Sequence, residues 1–405
     1  MTGKQKAAVN VAFSYNPLEE TLEVPSKKQS LFIGIPKENS FQENRVALTP
    51  QAVAVLVNQG NQVLIEKGAG EASSYSDHEY SEAGAMLVYD KKEVFKAGLI
   101  LKTAPISKEE IPLLQKDQVI FSPVHIPSLN KRQVEVLMDK KIIAVAIGHI
   151  KDDSGSFPIV RSMSQIAGIH AIHIASRYLG NQESGKGILL GGIAGVPPAN
   201  IVIIGAGMVG EYATRTALGC GANVKVFDNS IYRLMRLQKM VNQNVYTSVI
   251  EPSILTKVLS EADVVIGALK PMKGIVPMVV TESMVEGMKE GSVIIDISID
   301  NGGCFETSKL TTHENPVFKL HGVNHYCVPN IASELSHTAS HAISNVLLPL
   351  IVSCSETAGG PAIIASKSGL ISATYIYKGK LTSRSLAKKF DMKYTDLNLI
   401  LSANP

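Results

Sequence analysis

Several features are scarce in this 405-residue chain, and each scarcity narrows what it can be. There are only four cysteines, Cys220, Cys304, Cys327 and Cys354, and no pair has CxxC spacing. A chain of this length rarely needs disulfides to fold, so a reducing, cytoplasmic setting is expected and no metal site is. Charge of one sign is also missing: 39 basic against 36 acidic residues leave a formal +3. That balance gives no electrostatic reason to expect nucleic acid or an acidic membrane surface as partner. The apolar stretch AAVNVAF is seven residues long and interrupted by Asn10, too poor for a leader, so residues 1–30 are expected to form a peripheral extension. Gly187 to Gly210 carries no charge over a length that could span a bilayer, but its glycines and Pro197–Pro198 break it into a turn-rich segment and one short strand. No membrane insertion is expected.

What remains, at 45% hydrophobic and 19% charged, is ordinary globular material in an amount that suggests two domains. Strand-like runs alternate with helical periodicity: LFIGIP, then PQAVAVLVNQG, then QVLIEKG, with later strands at AGLILKTAP, KDQVIFSPVH and KIIAVAIGHI. A second alternating block follows the helical SQIAGIHAIHIASRYLG, with strands at NIVIIGAG, NVKVFD, DVVIGAL and SVIIDISID. The pattern predicts an α/β chain with two doubly wound, Rossmann-like parallel sheets. The tail after YCVPNIASE reads as helical, without another strand series, and is expected to return to the first domain. The boundaries that follow are 31–160 with 337–405 for one domain and 161–336 for the other.

The second block holds the most specific chemistry. Gly205, Gly207 and Gly210 form a GxGxxG directly after an apolar strand and at the start of a helix, and a second strand ends in Asp228. In that context the motif reads as a dinucleotide site. Gly205 permits the tight turn, Gly207 lets backbone approach a pyrophosphate, and Gly210 brings helix against strand. The helix N-terminus offers unpaired N–H groups to the phosphates. An acid at 228 would accept the adenosine-ribose hydroxyls and repel a 2′-phosphate, which favours NAD over NADP.

Other candidates sit where strands end. Asp296 and Asp300 in VIIDISIDNGGCFE are four apart, on one side of a strand if it stays extended, before the turn at Gly302–Gly303. Asp296 is open between capping that turn and function. Asp300, nearer the mouth, is the better functional candidate, ionised at its ordinary pKa of about 3.9. In the first block, Arg45 of ENRVALTP could fork onto a small carboxylate. His125 of FSPVH offers an acid or base near neutrality, and Lys102 of LILKTAP follows a strand.

Taken together, Arg45, Lys102, His125, Gly205 to Gly210, Asp228 and DISIDNGGCFE resemble the alanine dehydrogenase family, which is related to the nicotinamide nucleotide transhydrogenase α subunit. The likeness runs from about Leu31 to Asn345 through IGIPKE, RVALTP, EKGAG, EAGA, MSQIAG, GGIAGVPPA, IIGAGMVG and YCVPN. It implies a cofactor domain inserted into a substrate domain, commonly in a hexamer, and reversible oxidation of a small L-amino acid, alanine above all, to a 2-oxo acid and ammonia. By the same resemblance Arg45 holds the substrate carboxylate and His125 is acid or base. Asp300 activates water or ammonia, and Ser164, Asp228, Asp300 and Asn330 contact the nucleotide. The transhydrogenase subunit lacks counterparts of His125 and Asp300. Departures cluster near the substrate: KTAP stands where the family has KxKxP, so that either Lys102 shifts into the role of the substrate lysine or the site lacks it, and Gln165 stands where a Glu is usual. Two other readings stay open, a dehydrogenase for a larger amine of the saccharopine or lysine type, and a nucleotide-binding transhydrogenase-like subunit.

Overall fold

The computed structural model describes residues 30–124, 129–183, 185–271, 276–356 and 360–403. Six short strands, β1 (Phe32–Ile35), β2 (Gln62–Glu66), β3 (Met86–Val88), β4 (Leu99–Leu101), β5 (Val119–Ser122) and β6 (Ile143–Ala146), pair in parallel in the order β6-β5-β4-β1-β2-β3. Helices cover both faces, which is why these strands are apolar throughout rather than alternating. Leu99 and Leu101 point into one core while Ile100 points into the other.

The chain then leaves this sheet through a long helix, Pro158–Leu179, and builds a second one. Its strands are β7 (Asn200–Ile204), β8 (Asn223–Phe227), β9 (Tyr246–Ser248), β10 (Val264–Gly267), β11 (Val293–Asp296), β12 (Val317–Leu320) and β13 (Val323–Tyr326), in the order β12-β13-β11-β10-β7-β8-β9. All pairs are parallel except the β12–β13 hairpin. The helix Ser336–Glu356 carries the chain back, burying Ile343, Leu347 and Ile351 in the first core. The segment Ile331–Glu356 is long and apolar enough to cross a membrane, a test that a buried core helix such as this one passes equally.

Two readings need correction. The tail is not purely helical: β14 (Thr374–Tyr377) and β15 (Lys380–Leu381) form a hairpin that extends the first sheet antiparallel to β6. The run TYIY is too short to stand out beside the helical periodicity before it, and pairing with β6 decides its state. SVIIDISID is likewise not one strand. β11 stops at Asp296 and residues Ile297–Asn301 turn into a 3₁₀-helix, so Asp296 and Asp300 do not share an extended face. The helix Pro158–Leu179 packs on the cores of both sheets, through Ile159 and Ala171.

Candidate active site

Strand ends of both sheets meet over one cavity of about 390 Å³. Arg45 comes from the loop after β1, Ser164 from the helix between the sheets, Asp300 from the turn after β11 and Asn330 from the end of β13, and all four border it. This is the edge at which open parallel sheets bind ligands. Its remaining wall is mostly apolar, with Ile147, Ile159, Met163, Val209 and Ile343.

The loop bearing Arg45 is fastened rather than free. Asn44 N, Val46 N and Thr49 N donate to Ser333, Ser340 and Ser344 hydroxyls at 2.7, 2.9 and 3.2 Å, so the returning helix and the 3₁₀ turn before it hold the loop. The Arg45 side chain is 12% exposed and forked by Glu43, with Nε to Oε1 at 2.6 Å and Nη2 to Oε2 at 2.5 Å. Burial opposes its charge, but the contact with Glu43 and the nearby charges of Glu38 and Asp300 more than offset this and raise its pKa. Glu43 occupies one edge of the guanidinium. Among the described residues the remaining Nη1 donates only to the Met163 thioether at 3.2 Å, a weak acceptor that a carboxylate would outcompete.

Asn330 joins the two sides. Its backbone takes a left-handed φ of 53°, its N–H donates to Asp300 Oδ1 at 2.8 Å, and its side-chain amide donates to Gln42 O at 3.0 Å and Glu43 Oε2 at 3.3 Å. Asp300 is exposed to the cavity. Asp296, in contrast, is buried and caps the turn: it accepts from Ser298 N, Cys304 N and the Ser308 hydroxyl at 3.0, 3.0 and 2.7 Å. Burial pushes its pKa up against those hydrogen bonds.

Lys102 does not line the cavity. It is 1% exposed, with Nζ 2.5 Å from Glu38 Oε2 and 3.0 Å from Glu110 Oε1, and its neighbour Thr103 reaches the wall instead. Burial works against its charge, but the two carboxylates prevail and hold it protonated. His125 lies outside the described residues. Sequence reasoning passed over Glu43, Glu38 and Met163. A carboxylate two residues before a candidate arginine was the available signal for Glu43; nothing in the sequence marks Glu38 or Met163.

The glycine loop has the shape a dinucleotide needs. Gly205 sits at φ +114° with its α-carbon against the Ala268 carbonyl, and a Cβ at Gly210 would collide with the Gly205 carbonyl, so both are packing glycines. Gly207, which caps the helix Met208–Gly219, is different: a Cβ there would meet nothing within 4 Å. The space is on the outer side of the helix N-terminus, where a pyrophosphate would lie. Asp228 follows β8, buried, with Oδ2 accepting from Ala206 N and Oδ1 from Ser230 N, both at 2.8 Å. Val209, in the first turn of the same helix, borders the cavity that holds Arg45, so loop and cation open onto one space.

Two family models match this chain, the N-terminal domain of alanine dehydrogenase/PNT over residues 34–167 and its C-terminal domain over 171–384. The chain belongs to the alanine dehydrogenase/PNT family. An alanine dehydrogenase of Methanococcus maripaludis is 38% identical over 370 residues, covering 90% of this chain and 98% of that one. One from Staphylococcus haemolyticus is 36% identical over 366 residues, again covering 90% and 98%. Among solved structures, an L-alanine dehydrogenase superposes with a TM-score of 0.82 at 34% identity over 89% of this chain and 99% of that one. A transhydrogenase from Sinorhizobium meliloti shares the fold, with a TM-score of 0.73 at 23% identity, over 87% and 99%. Membership makes the protein an oxidoreductase, and the two-sheet α/β architecture is that of the family.

Proposed function

We propose that this protein is an NAD-dependent alanine dehydrogenase, interconverting L-alanine with pyruvate and ammonia in the cavity between the sheets. The observation that carries the proposal is Arg45: a mostly buried guanidinium, locked on one edge by Glu43, whose Nη1 has, among the described residues, only a thioether to give up. That leaves a fixed cation for one small carboxylate, beside a glycine loop open at Gly207.

Bound at that loop, a nicotinamide dinucleotide supplies the hydride acceptor. Arg45 receives the amino-acid carboxylate and fixes Cα toward the second sheet, the positioning on which hydride transfer depends. Ser164 and Asn330, on the cavity wall, contact the dinucleotide, and Asp228 accepts its adenosine-ribose hydroxyls. Oxidation at Cα gives the imine; Asp300, at the cavity mouth, holds the water that adds to it and accepts its proton. His125, two residues beyond the cavity-lining Pro123, moves the proton to and from the substrate nitrogen or oxygen, a role carried by the family resemblance. Lys102 acts from behind the wall through Glu38 and Thr103. A hexameric, cytoplasmic enzyme belongs to the same proposal, supported by the resemblance and by four cysteines that are all free.

The test is absorbance at 340 nm with NAD+ and a panel of L-amino acids at alkaline pH, and with pyruvate, ammonium and NADH in reverse. Alanine is expected to give the largest kcat/KM. NADH binding with no amino-acid-dependent rate would overturn the reading.

A further inference from the structure

Three residues before Arg45, a strained residue joins the two units. Ser40 to Glu43 form a turn closed by Glu43 N, which donates to Ser40 O at 3.2 Å. Gln42 holds its third position at a left-handed φ of 61°. Glycine or asparagine is usual where a turn needs that conformation, and another residue adopts it at a cost of about 1 kcal/mol or more. Such strain persists only where the surroundings over-determine it. Here the Gln42 side chain crosses to the second unit, where Oε1 accepts from His313 N at 3.1 Å and Nε2 approaches Thr311 O at 3.5 Å. The Gln42 carbonyl oxygen accepts from the Asn330 side-chain amide at 3.0 Å. Asn330 is itself left-handed, at φ 53°, so two strained residues, one from each unit, hold each other.

The surface on which Gln42 lands is fixed. Thr311 N donates to Cys327 O at 3.1 Å and Cys327 N to Thr311 Oγ1 at 3.2 Å, which ties this loop to the end of β13. Glycine would meet the turn at lower cost, so what the glutamine adds is reach: a carboxamide whose oxygen accepts and whose nitrogen donates. Gln42 does not line the cavity. Hydride transfer needs its two carbons at near-attack distance, and here they are held from opposite sides, the amino acid by Arg45 and the dinucleotide by the second unit. Whatever ties Arg45's loop to that unit therefore sets their separation. We infer that Gln42 is a positioning residue for hydride transfer, holding the amino acid on Arg45 at its working distance from the dinucleotide while touching neither. The inference rests on the dehydrogenase reading above.

The experiment compares the full-length protein with Gln42→Gly and Gln42→Asn, both of which suit the left-handed turn and neither of which keeps the reach to His313. Melting temperatures are expected to stay within a few degrees of wild type. The rate should show the loss: kcat for L-alanine falls about tenfold or more, while KM for L-alanine and the NADH Kd change less than about threefold. With L-alanine deuterated at Cα, the primary isotope effect on kcat should be at least as large as in wild type, because the step that slows is hydride transfer. An unchanged kcat, a loss confined to KM, or a smaller isotope effect in both variants overturns the inference and leaves the dehydrogenase reading standing. Wild-type protein without an alanine-dependent rate overturns that reading and the inference with it.

Discussion

A lysine at the end of a strand beside a substrate cavity invites a substrate role, yet at Lys102 the structure spends all its charge on Glu38 and Glu110. Removing it leaves Glu38 buried without its cation, so Lys102→Met should cost about 3–5 kcal/mol in denaturant unfolding. Because the two carboxylates outweigh burial and leave its folded pKa raised, that stabilisation is present below the ordinary lysine value while Glu38 and Glu110 are ionised, and fades as pH rises through the higher folded one. Unchanged stability with a raised KM for the amino acid would instead mark Lys102 as a direct ligand. The difference shows where residue-level reading stops. A strand end and a family motif place Lys102, Arg45 and Asp300 near one edge, but no spacing rule pairs Lys102 with an acid 64 positions earlier in the chain. Asp296 is the same case: both its possible roles were visible, and only the Cys304 and Ser308 donors decide for the cap.

At the scale of elements, the glycine loop was the most legible part of the chain. Strand, turn, helix and closing acid follow one another locally, and each glycine has a separable reason. The structure turns those reasons into a contrast. Gly207→Val should leave the melting temperature within a few degrees, since its side chain enters open space, yet weaken NADH at least about tenfold by filling the pyrophosphate position. Gly210→Ala should instead destabilise the protein outright, because its Cβ has nowhere to go but the Gly205 carbonyl. Thermal unfolding with and without NADH separates the two; equal loss of stability in both variants would mean that Gly207 is a packing glycine too. The β14–β15 hairpin was illegible for the opposite reason. Four residues of TYIY have no period long enough to read, and their strand state comes from β6, more than 200 residues away.

Across the whole molecule, function depends on two sheets presenting their ligand-binding edges to one cavity and on a helix that fixes both. The helix Ser336–Glu356 starts just after Asn330 and Glu334 in the second unit, then pins the Arg45 loop of the first through Ser340 and Ser344. Asn330 closes the circuit, reaching Asp300 on one side and Glu43 on the other. The parallel sheets were readable from alternation of strand and helix; the meeting of their edges was not, because it is made by serine hydroxyls and a carboxamide that carry no periodic signal. The central claim is that Arg45 receives the amino acid while the dinucleotide binds separately across the cavity. One measurement addresses it most directly: Arg45→Lys, assayed by varying L-alanine at saturating NAD+, with NADH affinity titrated on the same protein. Lysine keeps the charge but lacks the fork, so KM for alanine should rise about tenfold or more while the NADH Kd stays within about twofold. An unchanged KM, or a loss of NADH affinity as large as that for alanine, would contradict the account.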